Sequence, residues 1–246
     1  MTKKKIIITI AIILAVAVIA VCVTVPTLYM NGLIGSIHKL NSPKDGQVRV
    51  ACVGDSLTYG YGVSNWVKNN YPAQLGKLLG DEYCVNNYGY SGRTASKTGD
   101  RPYVSEKLYR QSLSFSPNIV IIMLGSNDTK SGNWKGKDAY VDDYKEIIES
   151  YLALESVESM IIMSPTPVWL KNGKRPYGIN IDLVATDVRL TARELAEEYG
   201  LGYIDLYEIF EDKSDLFKDG AHPSAAGARM IATAVSEYMT HTRYEV

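Results

Sequence analysis

The sequence predicts an α/β fold of three layers, α/β/α, around a parallel five-stranded sheet. Three observations lead there. Five apolar runs of strand length recur along the chain, amphipathic helical patterns lie between them, and the runs open into loops rich in Gly, Asn, Asp and Ser. With 246 residues, one hydrophobic core is the simplest organisation.

The first element stands apart from that domain. "MTKKK" precedes an uncharged apolar run from Ile6 to Val25, which as a helix would extend about 30 Å, enough for a bilayer core. Signal peptides have a shorter apolar region and a small-residue cleavage site. "VCVTVPTLY" is a poor one, and Val21 ahead of Cys22 argues against a lipoprotein signal. One uncleaved N-terminal transmembrane helix is therefore expected, with secretion after cleavage as the alternative. Lys3, Lys4 and Lys5 place the N-terminus in the cytoplasm by the positive-inside bias, and the rest of the chain outside it. Residues 1–25 form this basic tip and anchor, and 26–46 a linker that mixes Pro, Gly, Asn and Ser without a sustained period. The folded domain is 47–246.

Within the domain, the strands are "VRVACV", "YCVNNY", "NIVIIML", "SMIIMS" and "GYIDL", each suited to burial in a parallel sheet. The clearest helix places Tyr140, Val141, Tyr144, Ile147, Ile148, Tyr151 and Leu152 on one face, with acidic and basic residues opposite. A second spans Ile181 to Tyr199. A third follows His222-Pro223 and aligns Met230, Ile231, Ala234, Val235, Tyr238 and Met239. Strands alternating with helices imply right-handed crossovers, and ligands then bind beyond the carboxyl ends of the strands.

Composition narrows the function. A net charge of −1 with both signs interspersed leaves no basic stripe for nucleic acid. Cys52 and Cys84 fall in strands and read as buried free thiols, a reading that close approach of the two strands would reverse. No Cys, His or carboxylate cluster has metal-ligand spacing, so neither a metal nor another cofactor is expected. Nothing in the sequence calls for an obligate protein partner.

Four loops carry candidate chemistry. "GDSL" presents Ser56 at the end of the first strand, where it is either a turn residue or a nucleophile. "NYGYSGRT" after the second strand allows a ligand close to its backbone at Gly92. "LGSND" after the third offers the Asn127 amide. "KDGAHPSAAG" after the fifth carries Asp219 and His222. Each is also ordinary turn chemistry. Histidine scarcity sharpens the reading: of three histidines, His38 lies in the linker and His241 at the C-terminus, which leaves His222 to serve as a base. A serine needs such a base to take its proton, and a carboxylate three residues earlier can orient the imidazole. The Ser56 N–H, the Gly92 N–H and the Asn127 side chain would then meet the oxyanion.

In order and placement, "GDSLTYGYG", "NYGYSGRT", "GSND" and "DGAHP" make the chain resemble the SGNH hydrolases, also called GDSL esterases and lipases, from Val48 to about Glu237. The resemblance implies a flavodoxin-like sheet ordered 2-1-3-4-5 and a serine esterase acting through an acyl-enzyme. Ser56 is then the nucleophile, His222 the base and Asp219 its partner, with Ser56, Gly92 and Asn127 forming the oxyanion hole. "GSNDTKSGNW" and "SPTPVW" look like the carbohydrate O-acetylesterase branch, which would make an extracytoplasmic glycan ester the substrate. The alternative is a lysophospholipase or thioesterase acting on lipid acyl chains. Trp134 and Trp169 follow strands and are expected to border the site as sugar-binding faces or to pack the loops; Tyr59, Tyr61, Tyr88 and Tyr90 are expected to line the cleft.

Overall fold

The computed structural model describes residues 9–10, 12–21 and 40–242. Its sheet contains β1 (Val48–Gly54), β2 (Tyr83–Gly89), β3 (Ile119–Met123), β4 (Ser159–Met163) and β5 (Gly202–Ile204). All neighbours pair in parallel, in the order β2-β1-β3-β4-β5. Alternation along the strands divides the core. Val50, Cys52, Ile121 and Met123 face one side, where helices α1 (Tyr71–Leu79) and α5 (Ala225–Thr242) supply Tyr71, Leu75, Ile231 and Val235. Ala51, Val53, Val120 and Ile122 face the other, covered by α2 (Lys107–Ser114), α3 (Lys137–Leu152) and α4 (Arg189–Tyr199). Central strands buried on both faces explain why their sequences are continuously apolar.

The helix expected around Tyr140 is α3, with Tyr140, Tyr144, Ile147, Ile148 and Tyr151 buried, although Leu152 emerges into solvent at its end. The stretch expected as one helix from Ile181 is divided. A turn at Ile181–Leu183 and a π segment at Val184–Val188 precede α4. Val184 packs into a satellite cluster with Val168, Ile179 and Ala221, whereas Val188 joins the main core. The wider π turn lets two valines serve both clusters. Two layer helices have no clear signature in the sequence: α1 is a short helix that carries Gly76 in its interior, and α2 is short and polar.

Cys52 and Cys84 are buried and unpaired. Their strands are neighbours, but Cys52 lies on the α1/α5 face while Cys84 alternates with Tyr83 and Val85, which pack on that face. The two thiols therefore point to opposite sides of the sheet. Leu40 and Asn41, expected in the linker, already dock on the domain: Leu40 packs on the core and the Asn41 N–H donates to Asn86 Oδ1 at 2.7 Å.

The transmembrane helix expected over Ile6–Val25 is not supported. Residues 12–21 are helical and exposed, and the remainder of the run lies mainly outside the described residues. Among the described residues no helix is long and apolar enough to cross a membrane.

Candidate active site

Strand order reverses direction at β1: the chain steps from β1 outward to β2, then crosses back to β3 on the other side. This reversal opens a crevice at the carboxyl ends of β1 and β3. Ser56 stands there as the first residue of a one-turn helix, Ser56–Tyr59, whose cap is Asp55; its Oδ1 accepts from the Leu57 N–H at 2.9 Å. Gly54 and Gly89 face each other in the ladder beneath this turn, and a side chain on Gly89 would collide with the backbone of Thr58 and Tyr59. The two glycines let the turn settle on the sheet edge.

The "DGAH" turn builds the other half of the site. Asp219 Oδ1 accepts from the Ala221 and His222 N–H groups at 2.9 and 2.8 Å, so the carboxylate fixes the backbone of its own partner. Oδ2 lies 2.8 Å from His222 Nδ1, and His222 Nε2 lies 2.9 Å from Ser56 Oγ. An ionised carboxylate only accepts, so Nδ1 carries the proton and Nε2 is free to accept from the serine hydroxyl. Burial alone would raise the Asp219 carboxyl, but the His222 side chain and the two N–H donors outweigh it and hold the group well below the usual carboxylate range. Asp219 stays charged, as an orienter of imidazole requires.

Two tyrosines complete this corner. Tyr61 and Tyr177 lie 4.7 and 4.9 Å from the His222 ring, and the Tyr177 hydroxyl donates to Asp219 Oδ2 at 2.8 Å. Tyr177 has φ of 55°, a left-handed conformation that costs a non-glycine residue energy, and the Asp219 and His222 contacts accompany it. Burial and the neighbouring carboxylate push its phenol well above the ordinary tyrosine value.

On the opposite side, Gly92 adopts φ of 81° in the loop after β2, and Asn127 begins the turn after β3. Asn127 is buried, and its Nδ2 donates to Asp55 Oδ2 at 3.0 Å and to the Arg93 carbonyl at 3.1 Å. Its own carbonyl accepts from Asn133 Nδ2 at 2.9 Å. Burial pushes the Asp55 carboxyl up to about 6 despite its N–H donor and the nearby His222. Asp128 is likewise raised by burial, against donation from the Ser96 and Ala95 N–H groups at 2.8 and 3.1 Å, through which it ties the β3 loop to the β2 loop.

Ser56, His222, Gly92 and Asn127 thus border one cavity of about 210 Å³, together with Tyr61, Tyr177, Arg101 and Lys130. Neither tryptophan lines it. Trp134 packs on Tyr140 and borders a second cavity of about 290 Å³ with Thr129, Gly178 and Asn180, while Trp169 packs on Phe217. The Trp169 N–H donates to the Gly220 carbonyl at 2.8 Å, which braces the turn that carries Asp219 and His222. Of the four tyrosines expected at the cleft, Tyr61 lines it; Tyr59 and Tyr88 are core residues, and Tyr90 lies under the Arg93 guanidinium. Sequence reasoning missed Tyr177, Arg101, Lys130 and Asn133. Asn133 had a signal, since it lies six residues beyond Asn127 in the same polar loop.

Residues 52–230 match the GDSL-like lipase/acylhydrolase family. The chain belongs to that family. It is 31% identical over 218 residues to an acetylxylan esterase of Xylanibacter ruminicola, a match that covers 81% of this chain and 45% of the relative. The chain thus spans less than half the length of that relative. Among solved structures, a carbohydrate acetylesterase family member from Sinorhizobium meliloti superposes with a TM-score of 0.65 at 22% identity, covering 78% of this chain and 97% of the other. A lipase/acylhydrolase from Enterococcus faecalis gives 0.66 at 21%, covering 80% and 97%. These two share the fold.

Proposed function

We propose that this protein is a serine esterase that removes O-acetyl groups from a carbohydrate. The observation that carries the reading is the continuous hydrogen-bonded line from Ser56 Oγ through His222 to Asp219, opening on a small cavity. Ser56 Oγ attacks the ester carbonyl carbon while His222 Nε2 takes its proton. The carbonyl oxygen becomes an oxyanion facing the Ser56 and Gly92 N–H groups and the Asn127 amide, whose hydrogen must turn from Asp55 or Arg93 to meet it. As the intermediate collapses, the bond to the sugar oxygen breaks, and His222 returns the proton to that oxygen. Water then attacks the acyl-serine by the same route and releases acetate and free Ser56.

The relative with an acetylxylan esterase name supports a carbohydrate substrate, and a cavity of about 210 Å³ suits a small acyl group. Trp134 borders the neighbouring cavity, which adjoins the first through the consecutive pairs Thr129–Lys130 and Gly178–Ile179, so a sugar next to the acetylated one could be held there. The test is kcat/KM along p-nitrophenyl esters from acetyl to octanoyl. Acetyl should be best, because overfilling a packed site costs about 1–3 kcal/mol. A lipid acyl hydrolase would instead gain up to about 0.8 kcal/mol per buried methylene, and a rise toward octanoyl would overturn the carbohydrate reading.

The apolar run Ile6–Val25 behind three lysines supports a membrane-held enzyme with its domain outside the cytoplasm. Alkaline carbonate should leave the full chain in the membrane pellet, and protease added to spheroplasts should digest the domain. A mature protein beginning after the run would instead indicate cleavage and secretion.

A further inference from the structure

The cavity that holds Ser56 is lined by cations, with the carboxylates of Asp55 and Asp219 set behind that lining. Arg101 and Lys130 both line it, and no carboxylate does. Elsewhere Arg93 pairs with Glu106 at 2.7 Å, and Arg189 with Asp205 at 2.8 Å. Among the described residues neither Arg101 nor Lys130 has a carboxylate within ion-pair distance. In a chain of net charge −1, two unmatched cations meet at the nucleophile.

Topology places them on both sides of it. β1, which delivers Ser56, lies between β2 and β3. Arg101 follows β2 and Lys130 follows β3. The Arg101 guanidinium covers Gly92, with Nη1 3.4 Å from where a side chain on that glycine would begin. The His222 side of the cavity is instead faced by the rings of Tyr61 and Tyr177. One flank is therefore cationic and the other aromatic.

We propose that the substrate carries a carboxylate close to its scissile acetyl ester, as an acetylated acidic sugar does, and that Arg101 and Lys130 bind that carboxylate. This rests on the esterase reading above. A neutral ester would offer no charged partner to Lys130, which is partly buried and has only the field of buried Asp55 nearby, or to the more exposed Arg101. Proton transfer to His222 is balanced by the charged Asp219, which leaves Arg101 and Lys130 as the lining's free positive charge. A substrate carboxylate supplies that charge with a partner, and guanidinium is well shaped to bind it. The sugar ring then lies toward Tyr61 and Tyr177, where aromatic faces meet its apolar side.

The full-length protein would be assayed on three acetates: p-nitrophenyl acetate, acetylated neutral xylo-oligosaccharides and acetylated oligogalacturonides. At low salt kcat/KM should favour the acidic oligosaccharide over the neutral one by about tenfold or more, the scale of a charged hydrogen bond. That preference should shrink as salt rises, since screening acts on the charged substrate alone. Arg101→Gln and Lys130→Gln should each cut the acidic-to-neutral ratio about tenfold, and Arg101→Lys should retain part of it. Wild-type protein that hydrolyses p-nitrophenyl acetate and both oligosaccharides with no acidic preference would overturn this inference and leave the esterase reading standing. Equal losses by the variants on all three substrates would also overturn it, because the cations would then serve the transition state and not the substrate's charge. Absence of any p-nitrophenyl acetate turnover would overturn the esterase reading and this inference together.

Discussion

A cavity at each end of the sheet invites comparison, and the larger of the pair gathers no nucleophile with a base. At the amino ends of the strands, Val48, Ile119, Met160, Ile161, Leu201 and Met239 border a space of about 680 Å³. At the carboxyl ends, a space of about 210 Å³ gathers Ser56, His222, Gly92, Asn127 and two cations. The difference follows from the connections. Loops leaving the carboxyl ends come from several strands and converge on one crevice, where their polar residues meet. The amino ends receive chain from helices, and their space is lined mainly by apolar residues of the core, with Glu158, Ser159 and Tyr238 at its border and no histidine. Convergence of loops, not volume, decides where chemistry can occur.

Substitutions at the two ends should separate cleanly. Ser56→Ala and His222→Ala should each lower kcat/KM on p-nitrophenyl acetate by about 10⁴-fold or more while circular dichroism and thermal unfolding stay close to wild type, because nucleophile and base act as a unit. Asn127→Ala should cost about 10²–10³ in kcat, the usual loss for one oxyanion donor. Tyr177→Phe removes one donor from Asp219 without unmaking the triad, and a loss of about three- to tenfold is expected, read as kcat against KM. Met160→Ala at the amino end should destabilise the fold by about 2–5 kcal/mol in denaturant titrations yet leave kcat/KM within about twofold. A large activity loss from Met160→Ala would break the separation.

Two carboxylates flanking Ser56 sharpen the comparison within the active end, since their environments push them apart. Asp219 is held below the usual range, so its contribution to stability is full above about pH 4 and is lost as pH falls through its depressed folded value. Asp55 is raised to about 6, so the fold favours its protonated form, and stability declines as pH rises from about 4 through 6. Unfolding temperature measured against pH should therefore show the gap between wild type and Asp219→Asn closing in acid, and a flatter decline between pH 4 and 6 for Asp55→Asn. A gap for Asp219→Asn that widens in acid would contradict the assigned sign.

Ser56, His222 and Asp219 were legible because their placement is encoded locally: Ser56 sits in the turn that ends β1, Asp219 and His222 share one short turn ahead of α5, and His222 was the one histidine well placed to pair with the serine. The central strands were legible for a related reason, since burial on both faces leaves uninterrupted apolar runs. Arg101, Lys130 and Tyr177 were not. Each comes from a different loop, and only the crossing of β2, β1 and β3 and the left-handed turn at Tyr177 bring them to Ser56. For the tryptophans the sequence left two readings open, and their packing was not legible. Their position after strands drew them toward the site, but the rings are held by Tyr140 and Phe217, contacts that no sequence period announces.

The central claim is that Ser56 carries the acyl group, and rapid quenching of the enzyme with p-nitrophenyl acetate tests it most directly. Acid quench within the first turnover, followed by peptide mass spectrometry, should find one acetyl group on the peptide containing Ser56, with none on that peptide in Ser56→Ala and none accumulating in His222→Ala. An acetyl group on another residue, or steady turnover by Ser56→Ala at near wild-type rate, would contradict it.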